Sequence, residues 1–112
     1  MGLDMVLEDK YHDELAYWGK SGNNFLSFFI NKLGKDYDCD IVPVQKEWLE
    51  ELVFICCDVI ANPEKAPELL PRHDDEYDDW YFESLLSAVT QCRYVLKTFD
   101  FENETLYFYA SW

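Results

Sequence analysis

The chain has 112 residues, 49% of them hydrophobic and 18% aromatic, and its 23 acidic side chains outnumber the 9 basic ones to give a formal net charge of −14. This aromatic content excludes a disordered acidic tail. Together with the chain length it indicates a single folded domain, residues 1–112, with a negative surface. That surface repels nucleic acid and anionic membranes, and it favours basic protein surfaces as partners.

The first third of the chain predicts a hairpin followed by a helix. Residues 3–8 alternate in polarity as a half-buried strand does, and a second short strand is predicted at 15–18. The polar turn 9–13 between them completes the hairpin. Residues 21–24 offer N-cap side chains, and apolar residues at helical spacing then continue to residue 33, before a glycine.

The rest of the chain predicts two long helices and two more extended segments. Because a residue before proline favours extended backbone, 41–44 is a short strand, and 45–61 then places its apolar residues on one broad helical face. The proline-containing segment 62–75 is typical of a long surface loop, and a second long helix follows the acidic cluster 74–79. Strict alternation over 105–112 is typical of a strand.

These elements predict an α+β fold: a small antiparallel sheet that includes both terminal strands and packs one face against three helices. We expect the C-terminal strand to pair with the N-terminal one. No apolar run reaches 18 residues, and the first five residues lack the basic and apolar regions of a signal peptide. We therefore expect no membrane association and a cytoplasmic location.

Cysteines and clustered carboxylates are the candidate metal ligands in this sequence. Cys56 and Cys57 are adjacent in an apolar helical run and no zinc spacing is present, so the four cysteines are predicted to be reduced, with no disulfide. Carboxylates alternate over 36–40 and Glu47 falls at the twelfth position, which is EF-hand spacing, but the sixth position needs glycine and is Ile41. We predict no metal and no cofactor, and whether the acidic loop binds a cation stays open.

Motifs for catalysis are missing from the sequence. Only His12 and His73 are available as bases for the serines, and no GxSxG turn is present. The four glycines are scattered rather than grouped in a phosphate-binding loop. A non-enzymatic protein is therefore predicted. The weakest alternative is a metal-dependent enzyme that uses the carboxylates of 36–47.

The acidic surface itself is the candidate site. One row lies on helix 45–61 opposite its apolar face, and the second is the cluster 74–79; both contain aromatic side chains, which protein interfaces favour. Since duplex DNA carries a charge every ~1.7 Å and a helix rises ~1.5 Å per residue, such rows imitate a phosphate track if the carboxylates gather on one surface. The predicted partner-binding residues are Glu47, Glu50, Glu51, Phe54, Asp58, Asp74, Asp75, Glu76, Tyr77, Asp78, Asp79 and Trp80.

Sequence segments at both ends carry a resemblance to a known family. The segments are Met1–Met5, Leu15–Lys20, Leu69–Pro71 with Tyr77–Phe82, and Leu106–Trp112. In these the chain resembles a family of small acidic proteins encoded by bacteriophages and prophages, but residues 19–24 depart from the family's Arg-Lys pair and following His. The resemblance implies a phage accessory origin and no catalytic motif. In size and charge, though not in sequence, the chain is also analogous to small acidic phage proteins that inhibit host defence enzymes.

Two functions follow as hypotheses. The first is a non-enzymatic phage protein in the bacterial cytoplasm that inhibits a host nucleic-acid-handling defence complex, of anti-CRISPR or anti-restriction type, through a DNA-mimicking surface. The second is a self-associating structural module, such as a homodimer, in which charge serves only solubility. There, an exposed terminal strand or a hydrophobic patch with Tyr107 and Tyr109 would mediate assembly.

Overall fold

The computed structural model describes residues 4–33, 41–72 and 76–111, and it arranges them as an antiparallel sheet with helices on one face. The strands are β1 Asp4–Glu8, β2 Glu14–Trp18, β3 Ile41–Val44 and β4 Leu106–Ser111. The helices are α1 Leu26–Leu33, α2 Lys46–Ala61, α3 Ala66–Leu69 and α4 Asp79–Thr98, with 3-10 helices at Lys20–Asn24 and Pro63–Lys65. The predicted α+β class is confirmed.

The strand order is β2-β1-β4-β3, so both terminal strands lie in the middle of the sheet. Leu7 on β1 faces Ala16 on one side and Phe108 on the other, and the predicted pairing of β1 with β4 is confirmed. Alternation then sends every second side chain towards the helices. Those buried inner-face residues are Met5, Leu7, Ala16, Trp18, Val44, Leu106, Phe108 and Ala110.

Both edge strands are protected against further pairing. On β2 the backbone N–H of Tyr17 donates to Gln91 Oε1 (3.0 Å), and Gln91 Nε2 donates back to the Tyr17 carbonyl (3.1 Å), so an α4 side chain takes the place of a neighbouring strand. The other edge strand contains Pro43, which has no N–H to offer. The expectation of an exposed terminal strand is therefore wrong, because β4 is paired on both sides.

The core forms where α2 and α4 pack together and against the inner face of the sheet. Phe29 stacks on Phe108 with ring centroids 4.6 Å apart, which joins α1 to the sheet. Cys56 and Cys92 are buried free thiols whose pKa is raised by burial, to about 12 for Cys92. Leu86 of α4 is 55% exposed, because it lies at the border of the apolar face.

The segment after α2 is more ordered than the sequence predicts. Instead of one loop it contains the 3-10 helix Pro63–Lys65 and the one-turn α3. Ala66 in α3 and Leu70 directly after it are buried. Tyr81 Oη donates to the Leu70 carbonyl at 2.6 Å and fastens this segment to α4. The fold thus has a fourth, very short helix. No helix in the described part of the chain combines the length and apolarity needed to cross a bilayer.

Candidate functional site

The solvent-facing side of α2 carries the predicted acidic row. Glu47, Glu50 and Glu51 are exposed, Asp58 is half-buried, and Phe54 in their midst is 71% exposed. Eleven residues at ~1.5 Å each place the first and last carboxylates about 16 Å apart along the axis. We call these five residues the α2 acidic surface.

Two of its four carboxylates are compensated by the protein's own lysines. Lys32 of α1 pairs with Glu51, and Lys65 Nζ lies 3.2 and 3.3 Å from the two carboxylate oxygens of Asp58. Glu47 and Glu50 form no ion pair with the described residues, so the uncompensated charge lies in the first half of α2. Such exposed pairs contribute ~0–1 kcal/mol, which leaves them exchangeable for a partner's cations.

The start of α2 meets two further carboxylates that the sequence prediction missed. Glu47 lines a shallow cleft together with Glu102 and Glu104 from the turn before β4. More than fifty positions separate them in the chain, so only the topology brings them together. They extend the negative region at the start of α2, and Lys46 is the one cation among the residues that line the cleft. The acidic loop 36–40, its EF-hand-like spacing and Cys39 lie outside the described residues.

The acidic cluster before α4 has a structural use at its centre. Asp78 is the N-cap of α4: its Oδ1 accepts from the Tyr81 N–H at 3.0 Å and lies 3.5 Å from Arg72 Nη1. Since N-capping satisfies an otherwise unpaired donor, this carboxylate has a role without any partner. Glu76 and Asp79 are exposed, whereas Asp74 and Asp75 lie outside the described residues.

The three predicted aromatic anchors differ in how accessible they are. Tyr77 is half-buried, with its hydroxyl accepting from the Arg72 N–H at 3.1 Å and its ring edge-on to Tyr81 at 5.0 Å. Trp80 is 39% exposed, and the Arg72 guanidinium stands 5.2 Å from its ring centroid. Phe54 has no such cover, so it is the anchor that the structure presents most openly.

The two predicted acidic rows approach each other only at the end of α2. Ile60 lines a pocket together with Asp79 and Phe82 from the start of α4. Asp58 is two residues before Ile60, whereas Glu47 lies about 20 Å before Ile60 along the α2 axis. The described acidic residues at the start of α4 are therefore nearest to the carboxylate that Lys65 compensates and distant from Glu47 and Glu50.

Comparisons with protein-family models, with curated proteins and with solved structures find no match for this chain. The surfaces themselves therefore carry the functional argument.

Proposed function

We propose that this protein is a non-enzymatic inhibitor that covers a basic surface of a nucleic-acid-handling protein with its α2 acidic surface, in the place that DNA would take. The observation that carries the proposal is the exposed apolar ring of Phe54 inside a row of carboxylates. Aromatic anchors surrounded by polar or charged side chains are the usual centre of a protein interface.

Charge density decides what kind of mimicry this is. The α2 acidic surface has four carboxylates over about 16 Å, where duplex DNA carries about ten charges. It therefore resembles DNA in sign and in linear arrangement but not in density. Burial of Phe54 would add ~1.5–3 kcal/mol, more than any one exposed ion pair supplies. The net charge of −14 would speed association with a basic partner and make it sensitive to salt.

The biological setting belongs to the same proposal. A phage accessory protein acting in the bacterial cytoplasm against a host defence complex, of anti-CRISPR or anti-restriction type, would need this size and sign of charge. The support is the resemblance at both chain ends and the acidic surface. No direct contact with nucleic acid is proposed, because cations are few and scattered on the described surface.

The test begins with affinity capture from bacterial lysate, followed by binding measurements on the captured partner. The double variant Glu47→Gln/Glu50→Gln is expected to weaken binding about two- to thirtyfold, because two exposed pairs are lost. The matched control Asp13→Asn/Glu83→Gln removes the same charge from exposed positions in the hairpin turn and on α4 and should leave affinity unchanged.

Two results would contradict the proposal. One is a partner affinity that does not change between low and high salt, because an electrostatic interface must weaken as charges are screened. The other is failure of DNA to compete for the captured partner. Phe54→Ser changes no charge, so it tests the apolar contact apart from the electrostatic attraction. It should reduce affinity and leave the salt dependence of binding unchanged.

A further inference from the structure

The sheet has a second face, which points away from the helical layer. Strand register places Tyr17, Val6, Tyr109 and Ile41 in one row across all four strands. Tyr17 is 46% and Ile41 48% exposed at the two ends of the row. Val6 between the tyrosines is buried, yet it is not part of the core cluster that the helices share with the inner face. The row is therefore an aromatic and apolar platform separate from the core.

All charged side chains of the four strands are acidic. They are Asp4, Glu8 and Glu14. Asp4 and Glu8 share the outer face of β1 with Val6, and Glu14 lies opposite Glu8 in the register. Tyr17 Oη donates to Asp4 Oδ1, and this hydrogen bond is the main cause of the raised pKa of Tyr17. The platform consequently carries aromatic rings next to carboxylates, with no lysine or arginine in the strands that form it.

Area and charge decide which of three occupants fits this face. Four strands spaced ~4.8 Å apart, with five residues at ~3.3 Å each, span about 19 by 17 Å, or roughly 320 Å². A stable interface between two folded proteins uses ~800 Å² on each partner. A second copy would also bring carboxylates against carboxylates. Both edges of the sheet are protected, so an added strand is not an occupant either. A short cationic segment fits the area and the charge.

We propose that the outer face of the sheet binds an arginine-bearing segment of a partner protein. A guanidinium stacks on the exposed ring of Tyr17, as planar arginine side chains do on aromatic faces, and pairs with the carboxylates of Asp4 and Glu14. This site is on the opposite side of the sheet from the helices and does not depend on the α2 acidic surface.

The experiment uses the full chain and a synthetic decapeptide of five Arg-Ser repeats as the probe. Titration of the ¹⁵N-labelled protein is expected to shift the amide signals of Val6, Tyr17 and Tyr109. Tyr17→Ser should weaken binding at least about threefold, because it removes the ring and no charge. The control Tyr11→Ser, at a 68% exposed tyrosine in the hairpin turn, should leave the affinity unchanged. Unshifted helix signals in each variant establish that the fold is intact.

Four outcomes would overturn the proposal. Equal binding of a citrulline-Ser peptide would show that the positive charge is not recognised. Shifts confined to α2 would place the peptide on the other surface, and unchanged affinity in Tyr17→Ser would leave only general electrostatic attraction. Concentration-dependent dimers in sedimentation, dissolved by Tyr17→Ser, would make a second copy the occupant.

Discussion

Removal of one buried hydroxyl should destabilise the protein measurably, because it leaves a buried amide without a partner. Asn24 Nδ2 donates to Ser84 Oγ at 2.6 Å, and Ser84 Oγ donates in turn to the Tyr81 carbonyl at 2.6 Å. Asn24 and Ser84 are 2% and 4% exposed, so water does not easily replace either of them. This chain of hydrogen bonds connects the 3-10 helix before α1 to the first half of α4.

The magnitude follows from what Ser84→Ala leaves behind. An unsatisfied buried donor on Asn24 costs ~1–3 kcal/mol, and the better helix propensity of alanine returns up to about 0.5 kcal/mol. The expected loss in the free energy of unfolding is therefore about 0.5–3 kcal/mol. For a chain of this size each kcal/mol lowers Tm by roughly 4 °C. In Asn24→Ala the hydroxyl of Ser84 keeps its carbonyl acceptor, so no group is orphaned there.

The assay is urea unfolding of the single variants and the double variant, followed by far-UV circular dichroism. Ser84→Ala should cost close to nothing in the Asn24→Ala background, so the coupling energy should equal its cost in the parent, about 0.5–3 kcal/mol. Thr90→Ala on an exposed turn of α4 is the control and should stay within ~0.5 kcal/mol of the parent. If Ser84→Ala destabilises both backgrounds equally, the hydrogen bond to Asn24 is not the origin of the effect.

Two further predictions concern ionisable groups. Native protein treated with iodoacetamide should be alkylated at half-exposed Cys57 and not at Cys92, because burial keeps the Cys92 thiol protonated. Peptide mass spectrometry measures the labelling of each cysteine. Equal labelling of the two would contradict the packing of α2 on α4. Hydrogen bonds from Asn103 and from backbone N–H groups lower the pKa of Asp100, so its stabilising contribution is complete above its unfolded pKa of ~3.9 and is lost as the pH falls through the folded value. In urea unfolding, Asp100→Asn should therefore be less stable than the parent at pH 6, and the difference should shrink towards pH 3. A difference that grows on acidification would show that the pKa of Asp100 is not lowered by folding.

Much of the fold was predictable because period and burial agree. The alternation in β1 and β4 and the broad apolar face of α2 correctly gave the paired terminal strands and the helical layer. The helical turns within 62–72 were not predictable from the sequence, because prolines usually interrupt helices. Pro63 and Pro67 stand in the first turns of their helices, where a missing N–H and a fixed φ favour helix formation.

The candidate site was only partly predictable. The exposure of Glu47, Glu50 and Phe54 follows from helical spacing alone. The counter-ions that reach α2 from other elements, such as Lys32, do not follow, since pairs distant in sequence are set by tertiary packing. For the same reason the grouping of Glu47 with Glu102 and the role of Gln91 carried no local signal: on α4 a glutamine is typical of any solvent-facing position.

The contact between Gln91 and the β2 backbone ties the availability of a sheet edge to the position of a helix. A foreign chain that extended the sheet at β2 would first have to break both hydrogen bonds of Gln91 and turn its side chain away from the edge. Resistance to pairing at this edge therefore depends on one side chain that α4 holds in place. The Gln91 side chain thus takes the place of a fifth strand and reduces the tendency of the β2 edge to recruit other chains.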